Sequence, residues 1–146
     1  MLNSDYKDIL SVLSNRKAKF LLIGAYAMAV HGYPRSTMDI DLWVMPNLEN
    51  ALLVLQALND FGVPVGDLSP EDFQTGDTIF QIGVAPRRID ILTSVDGLEF
   101  EDAFARSQIV ELEGISFHVL SVADLIKNKR STGRTKDLAD AEALEG

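Results

Sequence analysis

Residues 38–45 read Met-Asp-Ile-Asp-Leu-Trp-Val-Met, and no other stretch narrows the choice of fold as far. Successive side chains of a β-strand point to opposite faces. As a strand, this segment therefore sets Ile40, Leu42 and Val44 on one face and Asp39, Asp41 and Trp43 on the other. The apolar face needs a core, and the rigid backbone holds two carboxylates side by side. Like charges held together are unfavourable unless water, a proton or a cation offsets them. A solvated edge strand would satisfy the pair with water alone. A third acid shifts the balance: in residues 88–92 Asp90 alternates with Ile89 and Ile91, so it too faces away from a hydrophobic side. Hard divalent cations with oxygen ligands are the natural counterpart of such a set. Mg²⁺ on a nucleotide's phosphates usually takes only one or two protein carboxylates per ion.

The remaining segments read as a mixed α and β fold. Tyr6, Ile9, Leu10 and Leu13 fall on one face of a helix over residues 5–13. Residues 20–23 form a short apolar run ended by Gly24, which reads as a buried strand. The small apolar side chains of 25–30 suit a helix packed closely inside the fold. Pro46 and Asn47 open a helix with an apolar stripe at Leu48, Ala51, Leu52, Leu55 and Leu58, closing before Gly62. Residues 62–76, with Pro64, Gly66 and Pro70, read as a loop, and 78–84 and 88–95 as strands joined by a turn at Ala85 and Pro86. A short helix is expected over 100–106, then a hairpin of 109–112 and 115–120 around Glu113 and Gly114. Ser121 with Asp124 resembles a capping box that starts a helix running to about residue 130, and a break at 131–133 separates it from a last helix over 136–144. There is no internal repeat, low-complexity segment or linker. A single α+β domain over 1–146, its mixed sheet flanked by helices, is the expected architecture.

Composition bounds the chemistry. The chain has no cysteine, so disulfides, thiolate metal sites and thiol nucleophiles are excluded. Any metal must be held by oxygen or by His31 and His118, which lack a ligand-like spacing and read as structural or surface histidines. No apolar run approaches a membrane span, and residues 1–19 lack the uninterrupted apolar core of a signal peptide, so a cytoplasmic protein without a membrane partner is expected. The net charge of -9 argues against an extended nucleic-acid surface, because that affinity rests on neutralising phosphates with Lys and Arg. Of the 13 basic residues, Lys127, Lys129, Arg130, Arg134 and Lys136 fall in one window, while none lies between Arg35 and Arg87. That distribution points to a local anion site.

Gly24 ends an apolar strand and opens a small-residue helix, whose first backbone N–H groups are placed to receive a phosphate. Ala25, a spacer of 13 residues from Tyr26 to Met38, and then Asp39-Ile40-Asp41-Leu42 follow. With Asp90 on a later strand, this arrangement resembles the signature of the DNA polymerase β-like nucleotidyltransferase superfamily. Gly32, Arg35 and Thr37, together with Leu125-Ile126, Lys129, Gly133-Arg134 and Lys136-Asp137, resemble bacterial stand-alone nucleotidyltransferases related to abortive-infection toxins. The likeness covers residues 20–144 and departs at Ala25, where the family usually has Ser or Gly.

The resemblance implies a minimal nucleotidyltransferase fold and transfer of a nucleoside monophosphate from an NTP to an acceptor hydroxyl. It assigns two Mg²⁺ or Mn²⁺ ions to Asp39, Asp41 and Asp90, and nucleotide contacts to Gly24, Ala25, Arg35, Thr37, Lys129 and Arg134. The acceptor it leaves open is a small molecule, a protein or a tRNA end, in a toxin–antitoxin or phage-defence setting. A catalytically weak NTP-binding or antitoxin-like module acting through a protein partner is the alternative, and Ala25 is the feature that favours it.

Several side chains have two roles open to them. Lys129 lies on the apolar stripe of its helix, four residues after Leu125 and three after Ile126, and either snorkels to water or reaches a triphosphate. Arg88 shares a strand face with Asp90 and either orients that carboxylate or touches substrate. Arg134 and Lys136 either close the nucleotide site or pair with Asp137 or Asp140. Trp43 either packs in the core or stacks on a base.

Overall fold

The structure is a computed structural model, and it describes residues 2–33, 39–66, 68–83 and 87–146. Arg35 and Thr37, expected to contact nucleotide, and the turn at Ala85 and Pro86 lie outside the described residues.

Helix α1, Ser4–Asn15, is capped by the Asn3 side chain, which accepts from the Tyr6 N–H, and it buries Tyr6, Ile9, Leu10 and Leu13. Strand β1, Phe20–Ile23, is buried along its whole length and runs directly into α2, Gly24–Val30. Strand β2, Ile40–Val44, precedes α3, Leu48–Phe61. Strands β3, Ile79–Ile82, and β4, Ile89–Leu92, are followed by α4, Phe100–Arg106. The hairpin of β5, Gln108–Leu112, and β6, Ile115–Val119, leads to α5, Val122–Thr132, and α6, Thr135–Glu145.

The six strands form one mixed sheet in the order β3-β4-β2-β1-β6-β5. β2 runs parallel to β4 and β1 parallel to β6, while the β1–β2, β3–β4 and β5–β6 pairs are antiparallel. Glu113 and Gly114 both take positive φ, 51° and 82°, which is the backbone that a two-residue hairpin loop requires. α1 packs on α3 and β6, and α2 lies against β1, β2 and α5. The fold is thus α+β, with helices flanking a mixed sheet. Among the described residues, no helix is long and apolar enough to cross a membrane.

Three local expectations are corrected. In α3 the buried face is Asn50, Ala51, Val54, Ala57 and Leu58, whereas Leu48 and Leu52 are 48% and 45% exposed. The helix is turned by the polar anchor Asn50. Its Oδ1 accepts from the Lys19 N–H at 2.7 Å, and its Nδ2 donates to the carbonyls of Lys19 and Met45, each at 3.0 Å. Residues 62–76 are not merely a loop, because a 3₁₀ turn at Pro70–Phe73, with a capping box between Ser69 and Asp72, buries Phe73 completely. Only half of the box expected at Ser121 forms. Ser121 Oγ accepts from the Asp124 N–H, but the Asp124 carboxylate is taken by Arg106 at 3.0 and 3.1 Å.

Asn50→Ala leaves the Lys19 N–H without its side-chain partner and takes one of two donors from each of the Lys19 and Met45 carbonyls, and should cost about 1–3 kcal/mol. Leu52→Gln on the same helix should change stability by less than about 0.5 kcal/mol. Urea unfolding of the two variants checks the rotated face, and equal losses would contradict it.

Candidate active site

Parallel pairing of β2 with β4 sets Asp41 directly opposite Asp90, with Ile40 opposite Ile89 and Leu42 opposite Ile91. The isoleucines and Leu42 are buried, so the core fixes the register and the register brings the two acids together. Asp90 is itself buried, at 8% exposure. Asp39 stands one residue before β2 and joins them through Arg88. The Arg88 guanidinium grips Asp90 with Nε to Oδ1 at 2.8 Å and Nη2 to Oδ2 at 3.2 Å, and its Nη2 lies 3.3 Å from Asp39 Oδ2. The Arg88 backbone N–H also donates to Asp39 Oδ1 at 3.2 Å. Of the two roles open to Arg88, the structure places it on the carboxylate.

Asp41 feels this crowding most. Burial first, then the charge of Asp90 and a hydrogen bond shared with it, and then the charge of Asp39, push its carboxyl up to about 6; Arg88 opposes the shift. Gly24 explains how Asp41 fits at all. Gly24 has φ +71°, and a Cβ built on it would lie 2.5 Å from Asp41 Oδ2. Glycine is therefore required both by the left-handed turn out of β1 and by the closeness of the carboxylate.

The acids open into a cleft of about 660 Å³. One wall carries Gly24, Ala25, Asp39, Asp41 and Asp90, and the other carries Lys129, Arg134 and Lys136 with Asp137 and Asp140. Asp77 and Asp96 also line it, and no pattern in the sequence marks them, because only the folded chain brings them there.

Lys129 neither snorkels to water nor stands free. It is buried, with Nζ 3.1 Å from Asp140 Oδ2 and 3.5 Å from Asp137 Oδ1. Asp137 also accepts from Thr132 Oγ1 at 2.7 Å and Arg134 Nε at 2.9 Å. These donors and the charges of Lys129 and Arg134 hold its carboxyl below the usual range although burial acts the other way. α5 and α6 are thus joined by an ion-pair network along the cleft, while Lys129 and Arg134 still line it.

Tyr6, a core residue by its helical spacing, has a second role. It is 1% exposed, and its hydroxyl donates to the Arg88 carbonyl at 3.3 Å, supporting the segment that carries Arg88. Burial, with Tyr26 and Asp39 nearby, pushes this hydroxyl up to about 12, so it remains a donor near neutrality. Trp43 is packed, 1% exposed and edge-on to Phe100 at 5.1 Å, and does not face the cleft. The histidines sit elsewhere: His31 Nε2 bonds the Leu120 carbonyl at 2.8 Å, and His118 Nδ1 lies 2.9 Å from Ser107 Oγ.

In overall shape the chain is similar to the crystal structure of a candidate nucleotidyltransferase from Thermotoga maritima. The likeness has a TM-score of 0.62 at 20% sequence identity, over 99% of this chain and 93% of that one. The chain has a nucleotidyltransferase-like fold. No protein-family model matches the sequence, and no curated protein matches it. In this nucleotidyltransferase-like fold the three acids form an all-oxygen, partly buried donor set of the kind that hard divalent cations take. Among the described residues, no group of three or more His, Asp or Glu is spaced to close on one ion as it stands. The guanidinium of Arg88 holds Asp39 and Asp90 together.

Two outcomes follow. The folded-state value of Asp41, about 6, exceeds its unfolded value of 3.8, so its contribution to stability is full below pH 4 and is lost as pH rises through 6. Asp41→Asn should therefore stabilise the chelator-treated protein by about 1–2 kcal/mol at pH 8 and by nearly nothing at pH 3.5. A pH series of urea melts reads this directly. Lys129→Met removes the cation facing two carboxylates and should destabilise by about 2–4 kcal/mol, with Lys129→Met/Asp140→Leu recovering part of the loss. A double variant no more stable than the single one would argue against the pair.

Proposed function

We propose that the chain is a metal-dependent nucleotidyltransferase that moves a nucleoside monophosphate from an NTP to an acceptor hydroxyl, with Asp39, Asp41 and Asp90 as its catalytic acids. The observation that carries this reading is the in-register pairing of Asp41 with Asp90 beside Asp39, at a cleft faced by Lys129 and Arg134. Asp39, Asp41 and Asp90 would hold two Mg²⁺ or Mn²⁺ ions, which would stabilise the attacking and leaving oxygens of an in-line displacement. The acceptor oxygen forms a bond to the α-phosphorus as the bond to the bridging oxygen breaks, and pyrophosphate leaves. Asp90 accepts the proton that the hydroxyl gives up. Lys129 and Arg134 face the triphosphate, and Gly24 and Ala25 bring backbone against it.

The toxin-related resemblance makes a tRNA end, a protein hydroxyl and a small molecule the acceptors to test. A second reading is a nucleotide-binding or antitoxin-like module of low turnover acting through a protein partner. It is favoured by Ala25, which puts no hydroxyl on the cleft wall, and by the engagement of Lys129 with Asp137 and Asp140.

Incubation with each α-phosphate-labelled NTP, Mg²⁺ and cell extract should release pyrophosphate and label an acceptor. Asp39→Asn/Asp41→Asn should abolish labelling and weaken binding of a non-hydrolysable NTP by at least tenfold, about 1.4 kcal/mol. Binding without any product would favour the second reading. Unchanged binding in the double variant would place the nucleotide elsewhere.

A further inference from the structure

Among the described residues, the Arg88 side chain touches two of the three clustered acids, Asp90 and Asp39, and its backbone N–H touches Asp39 as well. Its backbone is fixed from several directions: the N–H donates to Asp39, while the carbonyl accepts from Ile40 N–H at 3.0 Å and Tyr6 hydroxyl at 3.3 Å. Its guanidinium is held differently, with Asp90 and Asp39 as its partners among the described residues and a side chain 31% exposed. The side chain can swing toward solvent while the backbone keeps its hold on Asp39. Both Asp90 oxygens and one Asp39 oxygen are turned to the guanidinium, the oxygens that an incoming cation would need. A monovalent guanidinium and a divalent ion on the same oxygens repel each other.

We infer that Arg88 is the resident counter-cation of the carboxylate set, and that a divalent ion and the Arg88 guanidinium are alternative occupants of it. The inference rests on the metal-dependent reading above. Arg88 is then a positioning residue in the ion-free protein: it keeps Asp90 and Asp39 converged until an ion replaces it. The aliphatic stem and the backbone contacts remain in place when the head leaves.

The test is Mn²⁺ binding, followed by the paramagnetic signal of the free ion, in native protein, Arg88→Met and Arg88→Lys. Removing the competing charge should tighten Mn²⁺ binding at least fivefold in Arg88→Met, while Arg88→Lys, which keeps a cation there, should stay within about threefold of native. The melting temperature of Arg88→Met should fall below native without metal and approach it at saturating Mn²⁺. Equal or weaker Mn²⁺ binding by folded Arg88→Met would overturn the inference and make Arg88 a fixed support for Asp90. If that variant does not fold, the Arg88 Nε–H resonance of the native protein decides: titrated Mg²⁺ should move it to the position of a solvent-exposed arginine, and an unmoved resonance at saturation would refute displacement. Absence of divalent-ion binding to native and variant proteins alike would refute the metal-dependent reading, and this inference with it. Mn²⁺ binding that Arg88→Met does not tighten refutes only the inference.

Discussion

The parallel pairing of β2 with β4, in the one register that buries Ile40, Leu42, Ile89 and Ile91, forces Asp41 against Asp90, and much of the surrounding structure answers that repulsion. Two unit charges about 4 Å apart near a protein surface interact with roughly 4 kcal/mol at an effective dielectric of 20. A slip by one residue would separate the acids but would also turn each isoleucine out of the core, so the hydrophobic term wins. The charge is offset locally: Arg88 grips Asp90 and reaches Asp39, and the Asp41 carboxyl titrates higher than an ordinary aspartate. Gly24 belongs to the same response, since any larger residue there would push on the Asp41 oxygen.

Across the cleft the signs are reversed. The cations of α5 and α6 stand within a network of acids, with Asp137 shared among Lys129, Arg134 and Thr132 and Asp140 facing Lys129. A buried lysine without carboxylates would lose its proton or unfold its surroundings. With them it stays on the stripe between the two helices, at the cleft. Such a pair contributes little net stability relative to an apolar pair, but it fixes where the ammonium lies. Both walls therefore hold charge in place at an energetic cost, the arrangement expected where geometry matters more than stability.

The sequence carried the elements of the sheet and the convergence of the acids because both rest on a period of two. Alternation in 38–45 and 88–92 says which side chains share a face, and only the strand order remained to be learned. Asn50 and Phe73 were not legible for a different reason. The burial of each depends on a distant backbone or a turn geometry rather than on its neighbours in sequence: Asn50 answers to Lys19 and Met45, and Phe73 to a 3₁₀ turn. Lys129 was legible as an anomaly, a cation on an apolar stripe. Its partners Asp137 and Asp140 are not legible as its own, since the angle between two short helices is not written in either one's pattern.

Charge also constrains what the cleft can admit. The chain carries -9 overall, and at the cleft Asp77 and Asp96 add to acids that Arg88 and the α5–α6 cations only partly offset. A polyanion approaching such a surface meets repulsion once it comes within a Debye length, about 10 Å in 0.1 M salt. On the proposed reading, a triphosphate would enter with further cations of its own, at the wall of Asp39, Asp41 and Asp90, with Lys129 and Arg134 opposite. The ordering is physical: the core sets the register, the register sets the acids, and the acids set which charged species can share the cleft.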